Sequence, residues 1–232
     1  MKDIPNSLLA ALPRKSYLKL LPALAPVDLI FGEVLYEAGA PIQDVYFPGR
    51  SLVSLLTVVE GHLALEVGLV GREGMVGFPL ALGVGVSPVR ALVQGGGPAM
   101  KMSAARFRTE LRASPPLQRE LNRYVYTMMA QISQTAACNR FHMVEARLAR
   151  WLLMTRDRVR SSDFRMTHEF LSHMLGVRRV GVTEAASALQ RRKLIEYRRG
   201  NIRILDDRGL EASCCSCYKV VRDMHDGKPG LA

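Results

Sequence analysis

The residues best suited to chemistry by type are four cysteines, three of which lie in one short segment near the C-terminus. Cys214 and Cys217 have C-x-x-C spacing, with Cys215 between them, and this spacing occurs in redox pairs and in zinc sites. A closed zinc site needs further ligands, and the sequence shows no obvious ones. We therefore expect buried or unreactive thiols, with no metal and no cofactor. Cysteines crowded in this way do not form the spaced disulfide framework of a secreted domain.

Other reactive patterns do not match catalytic motifs. His168 and His173 resemble the pair of a zinc-protease helix, but their separation is one residue too long for a shared helical face. The glycine run at residues 95–97 is more typical of a turn than of a phosphate-binding loop. We find no nucleophile elbow and no P-loop, so we expect that the protein is not an enzyme.

Basic residues outnumber acidic ones, 32 against 21, and the formal net charge is +11. This balance favours a polyanionic partner, either nucleic acid or an anionic membrane surface, although a basic surface without a function has the same total charge. The length of 232 residues allows two modest domains or one large one, and the hydrophobic fraction of 48% is enough for a buried core.

No apolar run reaches the roughly 18 to 20 residues that a membrane span needs. Prolines also interrupt the leucines near the N-terminus, so this segment does not resemble a secretory signal. We therefore expect a cytoplasmic protein without a membrane partner.

The N-terminal half is predicted to be rich in strands. Leucines within residues 6–24 indicate short helices, and the pattern changes at about residue 30. Short β-rich runs then alternate with turn signals, one of them at Glu60-Gly61, up to about residue 102. Strands at this spacing predict an antiparallel sandwich or barrel. The predicted strands include residues 45–47, 52–59 and 63–67.

From residue 115 the pattern becomes helical. A set of residues recurs at alternating spacings of four and three, which is typical of a seam shared by two helices but also of a helix packed on its own domain. The set comprises Leu117, Leu121, Tyr124, Met128, Gln131 and Thr135. A second helix is predicted at residues 143–158, and residues 156–165 are interpreted as a hinge.

Residues 166–205 have the pattern of a winged helix-turn-helix. Thr167 is a plausible N-cap for a first helix, and Gly176 suits the left-handed residue that ends it. A second helix is predicted at residues 178–192. Two alternating strands then flank Arg199-Gly200-Asn201, which predicts a basic β-hairpin.

This arrangement predicts how the segment contacts DNA. The second helix would enter the major groove by its N-terminal end, where arginine can bond guanine and glutamate can accept from cytosine. The start of the first helix and the arginines of the hairpin would contact phosphates. The predicted DNA-binding residues are Thr167, His168, Arg178, Arg179, Val180, Thr183, Glu184, Arg198, Arg199 and Arg203.

The sequence THEFLSHMLGVRRVGVTE at residues 167–184 resembles the helix-turn-helix of the Crp/Fnr family of bacterial regulators, and GEVLYEAG at residues 32–39 resembles the opening strands of its sensor domain. The resemblance implies an α+β chain with an N-terminal antiparallel jelly-roll of the cyclic-nucleotide-binding type, a long dimerisation helix and a C-terminal winged helix-turn-helix. The implied domains are residues 1–114, 115–160 and 161–232.

The resemblance also implies a function in transcription regulation. Family members bind near-palindromic double-stranded DNA as homodimers, and they recruit or obstruct RNA polymerase. Of the three base-reading positions in the cyclic-AMP-responsive members, which fall at Arg179, Val180 and Glu184, only the arginine is kept. We therefore do not expect the same target sequence.

The predicted sensor departs from the family's cyclic-nucleotide site. Gly77 is followed by Phe78 where the family has a ribose-binding glutamate, and Arg90 lies near, but out of register with, the phosphate-binding arginine. Because such a site needs both charged partners, we do not expect cyclic AMP to bind. Gly77, Phe78 and Arg90 remain the candidate effector residues.

Three interpretations of the function stay open. The first is a regulator whose effector is unidentified or absent. The second is a cyclic-nucleotide-dependent regulator, and the third is a redox-sensing or small-molecule-sensing module. An oxygen-sensing iron–sulfur cluster is excluded, because no cysteine precedes Cys138.

Overall fold

The computed structural model describes residues 6–57 and 64–225, so the turn predicted at Glu60-Gly61 lies outside the described residues. The chain divides into two compact units. The first comprises residues 1–58 and 68–129, and the second comprises residues 59–67 and 130–232.

The N-terminal elements are mostly short strands, as the alternation of β-rich runs and turns predicts. They are α1 (Ser7–Ala10), α2 (Arg14–Leu20), β1 (Ala25–Leu29), β2 (Val34–Tyr36), β3 (Asp44–Pro48), β4 (Leu52–Thr57), β5 (Leu65–Val70), β6 (Arg90–Gly95), β7 (Gly97–Ser103) and α3 (Ala104–Ala113).

These strands form a three-stranded sheet in the order β1-β7-β3 and a four-stranded sheet in the order β2-β6-β4-β5. The pairs β1–β7, β3–β7, β2–β6 and β4–β6 are antiparallel. Val45 and Phe47 of β3 are fully buried while Tyr46 between them is half-buried, which is the alternation of a sheet packed on one face. The fold-class prediction of an antiparallel sensor domain is confirmed.

A long helix, α4 (Pro115–Phe141), follows the sheets. It begins at a proline, whose fixed φ suits a first helical turn and whose missing N–H is not needed there. Every residue of the predicted seam is buried within its own chain. Of the two alternatives, this face of the helix therefore packs on its own chain. The buried seam residues are Leu117, Leu121, Tyr124, Met128, Gln131 and Thr135.

The second unit is built around one central helix, α5 (Val144–Val159), which packs against four other helices of this unit. Trp151 of α5 lies in the core of this unit, and only 2% of the surface of this residue is exposed. The remaining elements are β8 (Asp163–Arg165), α6 (His168–Leu175), α7 (Arg179–Arg191), β9 (Ile195–Arg198), β10 (Asn201–Ile204), α8 (Asp207–Ser213) and α9 (Cys217–His225).

The interpretation of residues 156–165 as a hinge was wrong in part. α5 continues to Val159, and residues 163–165 form β8, which joins a three-stranded sheet in the order β8-β10-β9. Phe164 of β8 lies opposite Ile202 of β10, and both side chains are buried. The strand is short and its partner is distant in sequence, so no local pattern marked it. Of the helices described, none is long and apolar enough to cross a membrane.

Candidate nucleic-acid interface

The first helix of the predicted helix-turn-helix is capped at both ends as its sequence suggests. Thr167 precedes α6, and its Oγ1 accepts a hydrogen bond of 3.1 Å from the backbone N–H of Phe170. At the other end, Gly176 has a φ of 59°, the left-handed conformation that closes a helix. The positions of both caps therefore agree with the sequence prediction.

Glycine is required at position 176 for two reasons. An L-residue rarely adopts this φ, and a Cβ built on Gly176 would lie 2.5 Å from Cδ1 of Leu65. The turn between α6 and α7 thus leaves no room for a side chain.

A buried arginine also holds this turn. Arg147 of α5 is 5% exposed, and its Nη2 donates a hydrogen bond to the carbonyl oxygen of Leu175, at the end of α6. The last carbonyls of a helix have no partner within it, so the guanidinium donor satisfies one of them. Its positive charge also interacts favourably with the partial negative charge at this end of the helix. Arg147 therefore positions the first helix and is not part of a DNA-facing surface.

The second helix, α7, has one buried and one exposed face. Its buried side chains are those predicted: Val182, Ala185, Ala186 and Leu189. At its N-terminal end Arg178, Arg179, Thr183 and Glu184 are exposed, and Val180 is 67% exposed, which is unusual for an apolar residue. This end of the helix presents charged, hydrogen-bonding and apolar groups together, as base reading in a major groove requires.

His168 joins three elements of the domain. Its ring stacks on Tyr197 of β9 with a centroid separation of 4.1 Å, and its Nδ1 lies 3.0 Å from Thr183 Oγ1 of α7. Thr183 Oγ1 donates its single proton to the carbonyl of Arg179, so Nδ1–H of His168 donates to Thr183. Partial burial, and then the charge of Arg179, lower the pKa of His168 below 6.5. Both effects favour the neutral form of the imidazole.

The hairpin after α7 has the form of a wing. Arg199 and Gly200 link β9 to β10 with φ values of 50° and 79°, the two positive values that a type I′ turn requires. Arg198 and Arg199 are exposed at this tip. Arg203 is also exposed, but its Nε donates to Asp163 of β8 at 2.7 Å, so part of its charge is already paired.

The sheet of β8, β10 and β9 borders an open cavity of about 510 Å³, which is lined by residues of all three strands. One of them, Arg165 of β8, is an exposed basic residue that the sequence analysis missed, because its segment was interpreted as a hinge. Its place opposite Asn201 of β10 adds it to the basic residues of the wing.

The candidate effector residues of the first unit have partners in their own unit. Gly77 has a φ of 91° and donates its N–H to the hydroxyl of Tyr36 at 3.2 Å. Phe78 contacts Tyr124 edge to face, with centroids 6.1 Å apart. Arg90 pairs with Glu37 through a contact of 2.6 Å at the surface. No described contact joins these three residues to one another.

The second unit also brings together four residues that could ligate a metal. Cys138, His142, Cys215 and Cys217 place one ligand atom each within 4.8 Å of the others. From the sequence, the C-x-x-C spacing pairs Cys217 with Cys214, and no local pattern connects Cys215 or Cys217 to Cys138 or His142. Cys138 lies near the end of α4 and His142 directly follows this helix. The N–H of His142 still donates to the carbonyl of Cys138 at 3.1 Å, so the two side chains keep the spacing of one helical face.

A helix with an exposed basic end, followed by a basic hairpin, is the arrangement of winged-helix DNA-binding domains. In agreement, residues 146–213 match the protein family described as the Crp-like helix-turn-helix domain. No curated protein matches the chain in sequence.

Solved structures share the fold of most of the chain. A crp/fnr-family transcriptional regulator from Eubacterium rectale has a TM-score of 0.68 at 15% identity, over 90% of this chain and 98% of that one. The Crp/Fnr regulator TTHA1359 from Thermus thermophilus has a TM-score of 0.67 at 21% identity, over 82% and 97%. The c-di-GMP responsive regulator CLP from Xanthomonas campestris has a TM-score of 0.68 at 15% identity, over 84% and 100%.

The chain therefore contains a Crp-like helix-turn-helix domain at residues 146–213 and shares its fold with solved Crp/Fnr regulators. The resemblance stated from residues 32–39 and 167–184 is confirmed. The roles of the individual DNA-facing and effector residues stay predictions.

Proposed function

We propose that the protein is a sequence-specific transcription regulator that binds near-palindromic double-stranded DNA as a homodimer. The observation that carries the proposal is the exposed N-terminal end of α7, with Arg178, Arg179 and Glu184, in the same unit as a hairpin with exposed arginines. A helix of this kind fits the major groove, and a basic hairpin fits the adjacent phosphates. In this proposal Arg179 reads a base, and Arg198 and Arg199 contact the backbone.

The proposed second subunit would pack on the face of α4 that its own chain leaves exposed. Tyr126 is 69% exposed and Met129 is 63% exposed, which is high for large apolar side chains. Asn122, Tyr126, Met129, Ser133 and Ala136 follow each other at spacings of four and three, the repeat of a two-helix seam. Two Crp-like domains related by a two-fold axis would then read the two halves of a palindrome.

The effector of the proposed regulator is not cyclic AMP. The glutamate that would hold a ribose is replaced by Phe78, and the nearest arginine, Arg90, is paired with Glu37. An unidentified small molecule, or no effector, remains our proposal for the first unit. The cellular partner would be RNA polymerase, in the cytoplasm, with no enzymatic step.

Selection of bound fragments from genomic DNA with purified full-length protein tests the proposal. We expect a two-fold-symmetric motif to be enriched among the bound fragments. The protein should still bind this motif near physiological ionic strength, where non-specific binding is weak. If no fragment is enriched over bulk DNA at that ionic strength, the proposed function is wrong. Repeating the selection with cyclic AMP tests the alternative of a cyclic-nucleotide-dependent regulator. Such a regulator would bind the motif only when cyclic AMP is present.

A further inference from the structure

Three thiols and one imidazole meet between the end of α4 and the segment that begins α9. The Sγ atoms of Cys138 and Cys215 are 3.5 Å apart, and Cys217 Sγ is 3.5 Å from Nδ1 of His142. All four ligand atoms lie within 4.8 Å of one another. Cys138 and Cys217 are fully buried and Cys215 is 8% exposed, so the cluster is closed to solvent on its cysteine side.

These separations fit a tetrahedral metal. With bonds of about 2.3 Å to sulfur and 2.0 Å to nitrogen, the edges of a zinc tetrahedron are about 3.5 to 3.8 Å long. The two contacts of 3.5 Å lie in this range, and the remaining pairs need to close by about 1.3 Å at most. Three cysteines with one histidine is a common donor set of structural zinc sites, and soft thiolates select against magnesium and calcium.

The surroundings of the cluster also suit a bound cation with thiolate ligands. Gln134 Nε2 donates to Cys217 Sγ at 3.0 Å, a contact that would orient and stabilise a thiolate. Zinc with three thiolates leaves one net negative charge, which needs compensation in a buried site. The guanidinium of Arg150, which is 5% exposed, interacts electrostatically with Cys138 and Cys215 and supplies a positive charge.

We propose that Cys138, His142, Cys215 and Cys217 bind one zinc ion per chain in a closed structural site. The ion would link the end of α4 to the start of α9, segments that are far apart in sequence. Cys214, the neighbour of Cys215, is excluded from the ligand set. Its Sγ donates to the carbonyl of Glu211 at 3.1 Å instead. The proposal does not depend on DNA binding, so either one can fail without the other.

The first test measures metal content in the full-length protein purified under reducing conditions without chelators. Elemental analysis should find about one zinc per chain. The single variants Cys138→Ser, Cys215→Ser and Cys217→Ser should each lose most of the zinc, and His142→Ala should weaken its retention against a competing chelator. Cys214→Ser is the matched control, since it removes an adjacent thiol, and it should keep the full zinc content.

A second test uses the unmodified protein, in case a ligand variant does not fold. Titrating the thiols with a mercurial reagent should release zinc, detected with a chromogenic chelator, in step with modification of the buried cysteines. Exchange of zinc for Co²⁺ should produce the intense visible bands of a tetrahedral thiolate site.

Three results would overturn the proposal. They are wild-type protein that stays below about 0.1 zinc per chain after reconstitution with zinc and reductant, a Cys214→Ser variant that loses zinc as the ligand variants do, and freshly isolated protein that contains a Cys138–Cys215 disulfide or iron with acid-labile sulfide instead of zinc.

Discussion

Individual arginines of this basic chain have opposite roles. Arg147, Arg150 and Arg158 are each 5% exposed, and Arg158 donates to Gln131 at 2.9 Å inside the second unit. Arg178 and Arg179, by contrast, are exposed on α7. The net charge of +11 therefore overstates the charge available to DNA, because part of it lies in the interior of the unit.

Arg179→Ala should weaken binding to the selected site by about 1 to 3 kcal/mol and relax the preference at one base pair, since a bidentate contact to guanine is lost. Binding isotherms on the selected site and on single-base variants measure both effects. Arg112→Ala, a change of an exposed arginine on α3, is the control and should bind as the unmodified protein does. Equal weakening on every sequence would show that Arg179 does not read a base.

His168 predicts a pH dependence of stability. Its pKa is lowered in the folded protein, so the unfolded chain binds the proton more tightly. Stability should be complete above about pH 6.5 and should fall as the pH is lowered through that value, because unfolding takes up a proton there. Denaturant unfolding between pH 5.5 and 8 measures this slope. His168→Gln should flatten it, because the substitution removes the ring whose pKa is lowered. A slope unaltered in His168→Gln would contradict the role given to burial of this ring.

At the scale of elements, α7 is positioned by the groups around the turn that precedes it. Gly176 allows the chain to reverse, Arg147 holds the last carbonyl of α6, and His168 connects α6, α7 and β9. These contacts orient the exposed end of α7 relative to the wing. Local sequence signals predicted the two helices and the hairpin, because caps and turn residues act over a few residues. Arg147 and His168 act through tertiary contacts and were not predicted in these roles.

Gly176→Ala should destabilise the second unit by about 1 to 3 kcal/mol or more, since it adds both a strained φ and a steric overlap with Leu65. The matched control is Gly181→Ala in α7, where a Cβ meets no atom within 4 Å. That change should stabilise by about 0.5 to 1 kcal/mol through helix propensity. Thermal and denaturant unfolding without DNA measure both. Two variants of equal stability would contradict the packing described for the turn.

The arginines of the wing should contribute equally to binding of DNA of any base sequence. Arg199→Asn keeps a residue type that tolerates the φ of 50° but removes the charge. Each lost phosphate contact should reduce the slope of log K against log salt concentration by about 0.9. Affinity measured from low to physiological salt, on specific and unrelated duplexes, checks the prediction. An unaltered slope would remove Arg199 from the interface.

At the scale of the whole molecule, α4 has one buried face and one face that its own chain leaves exposed. The face with Leu121, Met128 and Gln131 is buried in its own chain, whereas Tyr126 and Met129 are exposed on the other. Both faces have spacings of four and three, so periodicity alone could not assign the partner of either one.

Replacing both Tyr126 and Met129 by glutamate should convert the proposed dimer to a monomer, because two like charges per chain would face each other in an apolar seam. Sedimentation or light scattering measures the state, and affinity for the symmetric site should fall at least about tenfold once the half-sites bind separately. Leu82→Glu, at a residue 58% exposed in the first unit, is the control. A double variant that stays dimeric would place the interface elsewhere.

The sequence by itself determined those features whose signals are local. N-cap and C-cap residues, the Arg199-Gly200-Asn201 turn and the alternation of short strands were sufficient for the helix-turn-helix, the wing and the antiparallel sensor fold. The tertiary structure alone decided which face of α4 is buried, the pairing of β8 with β10, and the gathering of Cys138 with Cys215, which are 77 positions apart. Each of these features depends on contacts between segments that are distant in sequence. The local sequence of one segment does not identify the segment that it contacts.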